Sequence, residues 1–185
     1  MRRMIEKFIP NSVRRLATDE RGVSAIEFAM LLPLMVTLYL GSVEVSQGIA
    51  ADRKVTMTAR AVADLASQVS TINNAAMTNV LAAASSVMTP YDVSKAKVTV
   101  SLITIDGNSK ATITWSDSLN GTARTKGSTV TLPSALLIAN SSLVWGETSF
   151  TYTPVVGYVI SGSLNLKDQI YMRPRLSDTI SRTTS

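Results

Sequence analysis

The sequence predicts an α+β protein with a long N-terminal helix that first crosses a membrane and then continues as an amphipathic helix. A second helix and a small antiparallel β-sheet head follow. Three observations carry this reading. Residues 28–43 contain no charge. Residues 55–69 place apolar side chains at helical spacing. From residue 96 onward β-branched runs alternate with Asp/Gly/Asn turn signals.

The apolar run extends back through Val23, Ser24, Ala25 and Ile26 to give residues 23–43, with Glu27 as their one charge. At about 1.5 Å per residue this helix is roughly 30 Å long, the thickness of a bilayer hydrocarbon core. It has no polar face, as a soluble helix of that length would, and Pro33 is tolerated in membrane helices. A cleaved secretory signal peptide fits poorly. Its apolar region is only about 7–15 residues, and the nearest small-x-small site, Gly48-Ile49-Ala50, lies beyond Glu44.

Charge gives the orientation. The 185 residues carry +5 overall, and +3 of this sits in residues 1–22, where Arg2, Arg3, Lys7, Arg14, Arg15 and Arg21 outweigh Glu6, Asp19 and Glu20. Only Arg53, Lys54 and Arg60 follow the run closely. The positive-inside rule then predicts a cytoplasmic leader, 1–22, and an extracytoplasmic domain from Glu44, the membrane boundary, to about residue 175. The sequence pI near 9.7 is not a nucleic-acid signal, because no basic stripe with interleaved aromatics exists.

Cysteine and histidine are both absent. The head is therefore held by packing and strand pairing without disulfides, and the usual zinc, haem and iron–sulfur ligands are missing. Ser/His/Asp, Cys/His and His-metal catalysis cannot be built. No catalytic residue, cofactor or metal site is expected, and the chain reads as a non-enzyme.

Along the head, Val55, Ala59, Val62, Leu65, Ala66 and Val69 form the apolar stripe of the helix extension. Asn73 or Asn74 is an N-cap for a second helix over about 75–88, which Pro90 closes. Lys97–Ile105 and Ala111–Trp115 form a hairpin around Asp106-Gly107-Asn108. Residues 117–132 read as an exposed loop, Ser134–Ala139 as a short helix, and Leu143–Thr153, Val156–Ser161 and Gln169–Arg173 as further strands. Residues 176–185 read as a flexible tail. Asp106, Asn108 and Asp117 lack EF-hand spacing and are assigned to turn chemistry. Trp115, Trp145, Tyr152, Tyr158 and Tyr171 are assigned to the core of the sheet.

A basic leader, Gly22, and an apolar helix with Glu27 as its fifth residue resemble the class III (type IV) prepilin signal. Arg21-Gly22-Val23-Ser24-Ala25-Ile26-Glu27-Phe28-Ala29-Met30-Leu31-Leu32-Pro33, the Gly41-x-x-Glu44 that ends the span, and Phe150-Thr151-Tyr152-Thr153-Pro154 together resemble the TadE/TadG-like family of tight-adherence (Tad) pilus assembly proteins. That resemblance implies a pilin-like fold and a minor pilin (pseudopilin) or accessory role in a type IV pilus or secretion apparatus. The implied site is bacterial inner membrane, with a periplasmic head that can enter a surface pilus. Its partners would be other pilins or pseudopilins, the assembly machinery and a prepilin peptidase cutting between Gly22 and Val23. Glu27 would set helix register by pairing with a neighbour's N-terminal ammonium. Glu20 departs from the pattern by placing an acid just before Gly22. An uncleaved bitopic scaffold or adhesin-like protein of the envelope therefore stays open as the alternative.

Overall fold

A computed structural model describes residues 20–154, 157 and 159–184. Helix α1 runs from Glu20 to Ser67, unbroken at Pro33. The chain divides into two compact units between Val43 and Glu44. In the first, the helix from Gly22 on is long and apolar enough to cross a membrane. Its large apolar side chains are uncovered, Met30 reaching 77 % exposure. Its hydroxyls turn back onto the helix: Thr37 Oγ1 donates to the Pro33 carbonyl and Ser42 Oγ to that of Tyr39, each at 2.8 Å. Such internal satisfaction is what a hydrocarbon surrounding demands of a polar group.

The second unit, from Glu44, packs the rest of α1 and a second helix on a sheet. Strand β1 (Thr71–Ile72) follows α1, then α2 (Asn74–Ser86). Four strands make the main sheet: β2 (Ala96–Ile105), β3 (Ala111–Leu119), β4 (Ser141–Tyr152) and β5 (Leu164–Met172), in the order β3-β2-β4-β5 with every neighbour antiparallel. Asn73 caps α2, its side-chain oxygen accepting from the Ala76 N–H at 2.8 Å. Asp106 Oδ1 accepts from the N–H groups of Asn108 and Lys110, both at 2.9 Å, and so shapes the β2–β3 turn.

The face of α1 that meets the sheet is small. Ala51, Val55, Ala59, Val62, Ala63 and Ala66 are all buried, and opposite them β4 carries Gly146. A side chain there would begin 2.5 Å from the Ala59 carbonyl oxygen and 2.9 Å from the Ala63 methyl. Because side chains alternate along a strand, Val144, Phe150 and Tyr152 share the α1 face with Gly146, whereas Leu143, Trp145 and Glu147 point the other way. Val98, Val100, Leu102 and Val144 join Val62, Met77 and Leu81 in the main core. A second cluster lies on the opposite face, where Ile103, Ile105, Ile113, Leu143 and Trp145 are roofed by Val130, Leu132, Leu136 and Leu137 of the β3–β4 connection.

Several expectations are corrected. Strand β3 continues to Leu119, so the connection starts later than residue 117. Its serines pair across the ladder, Ser118 with Thr99 and Ser116 with Ser101 at 2.8 Å each, a cross-strand contact that holds a hydroxyl-rich stretch in a sheet. The strand expected at 156–161 is not formed at its described positions: Gly157 has φ +64° and residues 159–160 bend. Strand β5 begins at Leu164 rather than Gln169. The short helix after Pro133 is a single 3₁₀ turn, Ser134–Leu136.

The C-terminal residues expected as a loose tail are packed. Strand β6 (Ser181–Arg182) runs parallel to β1, and Ile180 is 1 % exposed. The Trp115 indole N–H donates to the Ile180 carbonyl at 2.8 Å. Arg182 forks onto both Asp117 oxygens at 3.0 Å, which leaves Asp117 engaged in an ion pair. Of the five aromatics assigned to the core, Trp115, Trp145 and Tyr152 are buried and Tyr171 is half-buried. Tyr158 lies outside the described residues.

Because the nearest obstacle at Gly146 is backbone, Gly146→Ala is expected to destabilise the head by about 1–3 kcal/mol, the usual cost of overpacking. The denaturant midpoint of the detergent-solubilised protein reads this directly. An unchanged midpoint would mean that α1 does not approach β4 this closely.

Candidate functional site

The residues singled out in the sequence lie on α1. Gly22 has open space where a side chain would stand. Val23 is 56 % exposed. Glu27 is exposed, and no hydrogen bond or ion pair engages it among the described residues. An acid so placed in an apolar helix costs on the order of 2.5–3.5 kcal/mol at a bilayer centre and less toward the interface. Of the leader 1–22, residues 1–19 lie outside the described residues.

Glu44 is the opposite case. It is 1 % exposed, and its Oε2 accepts from the backbone N–H groups of Val159 at 2.9 Å and Ile160 at 3.0 Å. A buried carboxylate is tolerated when hydrogen bonds replace its lost water. The β4–β5 connection supplies them with donors that strand pairing leaves free. Gly157, with φ +64°, lies just before these donors in a conformation costly for any residue with a Cβ.

Around Glu44 the head builds an aromatic wall. Tyr152, at the end of β4, is 4 % exposed, and its ring lies against Gly48 one helical turn beyond Glu44, where a Cβ would sit 4.0 Å from Tyr152 Cε1. Tyr91 meets Tyr152 edge-on at 6.2 Å and tilts over Phe150 at 5.7 Å. The Tyr91 hydroxyl donates to the Gln47 carbonyl at 3.3 Å. Burial pushes the Tyr152 phenol above its usual pKa, and the neighbouring Tyr91 and the Glu44 charge add to this. Two segments far apart in sequence, Glu44–Gly48 of α1 and Phe150-Thr151-Tyr152, thus meet at one place. Tyr91 carries no sequence signal that predicts its part in it.

In this arrangement a carboxylate fixes a loop. Glu44→Ala leaves two backbone donors unpaired, and an unsatisfied buried donor costs about 1–3 kcal/mol. Hydrogen exchange at the Val159 and Ile160 amides should therefore accelerate markedly in Glu44→Ala while the Val100 amide stays protected. Equal exchange at residues 159 and 160 in both proteins would refute the latch.

No curated protein and no solved structure shows significant similarity to the chain. The family model of the TadE-like proteins matches residues 22–64. That stretch covers Gly22, Glu27 and Glu44 and ends within the buried stripe of α1, while the Phe150–Pro154 resemblance lies outside it. The family that the opening motif resembles is thus the one whose model matches, and the similarity is confined to residues 22–64, all within helix α1.

Proposed function

We propose that the chain is a membrane-anchored subunit in the assembly of a Tad-type pilus, a minor pilin or pseudopilin that acts by packing its apolar helix against those of other subunits. The observation that carries this reading is the TadE-like match over residues 22–64, inside which Glu27 stands exposed on an apolar helix. The role is structural, with no enzymatic step. Residues 1–22 face the cytoplasm and the head faces the periplasm, as the basic excess before the span favours.

Cleavage between Gly22 and Val23 would create an ammonium at the start of an apolar helix. A carboxylate one helical turn away, on the same or a neighbouring subunit, can pair with that charge where little water competes. Glu27 has the spacing for that role, and pairing offsets the cost of placing it in lipid. The helix register of one subunit against the next would follow from this single pair.

The second reading is an uncleaved bitopic scaffold or adhesin-like protein, favoured by the acid at Glu20 beside the cleavage position. Intact-mass analysis of protein taken from membranes separates the two. A mature N-terminus at Val23 is expected, and a retained leader would leave the scaffold. Glu27→Ala should insert into the membrane normally yet lower pilus yield severalfold. Undiminished pili in that variant would remove the register role.

A further inference from the structure

The face of the sheet turned away from α1 is divided. One end is dry and roofed by the β3–β4 connection; the other is a polar cavity of about 740 Å³, open to solvent. That volume falls within the usual range for small-ligand sites, about 300–1,000 Å³. Its floor is set by strand register. Lys97, Ser149 and Lys167 form one row across β2, β4 and β5, and Thr99, Glu147 and Gln169 form the next. Gly121 and Thr122 of the β3–β4 connection make a wall.

The chemistry of this lining is one-sided. Both oxygens of Glu147 are taken by Arg124, Oε2 by Nε at 2.9 Å and Oε1 by Nη2 at 2.6 Å. The Arg124 guanidinium lies 3.8 Å from the Trp145 ring centroid, and Trp145 stacks on Tyr171 at 5.5 Å. The Trp145 indole N–H donates to Gln169 Oε1 at 3.2 Å. That bond uses the acceptor end of the amide and leaves its NH₂ free. Among the described residues, Lys97, Lys167, Ser149 and Thr122 have no side-chain polar partner. The cavity therefore offers two ammonium groups, one amide NH₂ and two hydroxyls, while Glu147 is already consumed. The second acid of the lining, Asp168, pairs with Thr148 on the row that alternation turns toward α1, and its Oδ1 accepts from the Gln169 N–H at 2.7 Å. A site rich in donors and poor in acceptors selects a ligand with the reverse inventory.

We propose that this cavity binds an acidic saccharide, a short oligomer of sugars that carry carboxylates. Lys97 and Lys167 are separated by two inter-strand steps, about 9.6 Å across the sheet. A single small anion would engage one ammonium and leave the rest of the cavity empty. A uronic-acid oligomer can give each lysine its own carboxylate and set ring hydroxyls against Ser149, Thr122 and the Gln169 amide. An acidic peptide fits less well, because it brings backbone N–H donors that need acceptors, and here Glu147 and the carbonyls of the central strand β4 are already used. Arg124, held by indole and carboxylate, belongs to the frame of the site; the two lysines are its contacts. The inference is independent of the helix-packing role, since every residue in it lies on the sheet or the β3–β4 connection.

Trigalacturonic acid titrated into the full chain in detergent micelles tests this by calorimetry, with inorganic phosphate and poly-glutamate as separate probes. Saturable binding of trigalacturonate is expected, weakened at least tenfold in Lys97→Gln/Lys167→Gln and unchanged in Lys110→Gln, whose lysine is exposed on the β2–β3 turn. Three results would overturn the proposal: no saturable binding of trigalacturonate, equal affinity in the double variant, or phosphate or poly-glutamate matching its affinity. The last would assign the site to a free anion or an acidic chain. Both lysines are exposed, so the double variant keeps the fold, which circular dichroism verifies.

Discussion

The head depends on how closely helix α1 can lie on strand β4. At Gly146 the carbonyl oxygen of Ala59 occupies the space a side chain would need, so the helix backbone itself is packed against the sheet. That distance dictates the rest of the contact. Alanines at 51, 59, 63 and 66 keep the helix low, and Val55 and Val62 fill the room beside the glycine. The valines of β2 and β4 meet them from the sheet. With no cysteine in the chain, nothing covalent holds the layers together, and close packing of small side chains takes that place.

Within this frame the two acids of the TadE-like segment illustrate opposite solutions to one problem. A carboxylate removed from water needs donors. Glu44 finds them inside its own chain, and the exchange is mutual, because the N–H groups of Val159 and Ile160 lie in a connection where no strand could accept them. Neither partner is a cation, so the arrangement avoids the side-chain ordering of an ion pair and fixes backbone instead. Glu27 has no such partner among the described residues. On the reading proposed above, its requirement is met by the N-terminal ammonium of a neighbouring subunit. The same residue type thus serves the fold at Glu44 and, on that reading, association at Glu27.

Much of this was legible in the residues, and the failures have physical causes. The apolar run, the stripe from Val55 to Ala66, the Asn73 cap and the Asp106 turn are local patterns of period or side-chain capping, and they reappear where expected. Asp117 to Leu119 read as loop because polar residues favour turns in isolation; pairing with β2, where Ser118 meets Thr99, reverses that preference. Residues 156–161 are rich in β-formers, yet among the described ones Gly157 takes a positive φ and Val159 and Ile160 bend to give their N–H groups to Glu44. The C-terminal strand was hidden because Ser181 and Arg182 are polar. What orders them is the Trp115 indole, the Asp117 carboxylate and two hydrogen bonds to the β1 segment, all distant in sequence. Patterns within a segment are visible in one dimension; partners across the sheet are not.

The outer face of the sheet shows the same dependence on distant partners and explains why residue 124 is an arginine. Its place is the border between the roofed apolar end and the open polar end. There one side chain must cover an indole, neutralise Glu147 and stay charged when partly withdrawn from water. A planar guanidinium does all three: its Cζ lies over the Trp145 ring, 3.8 Å from the centroid, while its N–H groups fork onto both carboxylate oxygens. The hydrogen bond to Glu147 leads in raising its pKa, against the opposing effect of burial. A lysine would offer a compact ammonium that can face the ring or the carboxylate but cannot present a plane to one and an edge to the other. Were residue 124 a lysine, Glu147 would keep a free oxygen, and the cavity beside it would regain the acceptor that its present lining lacks.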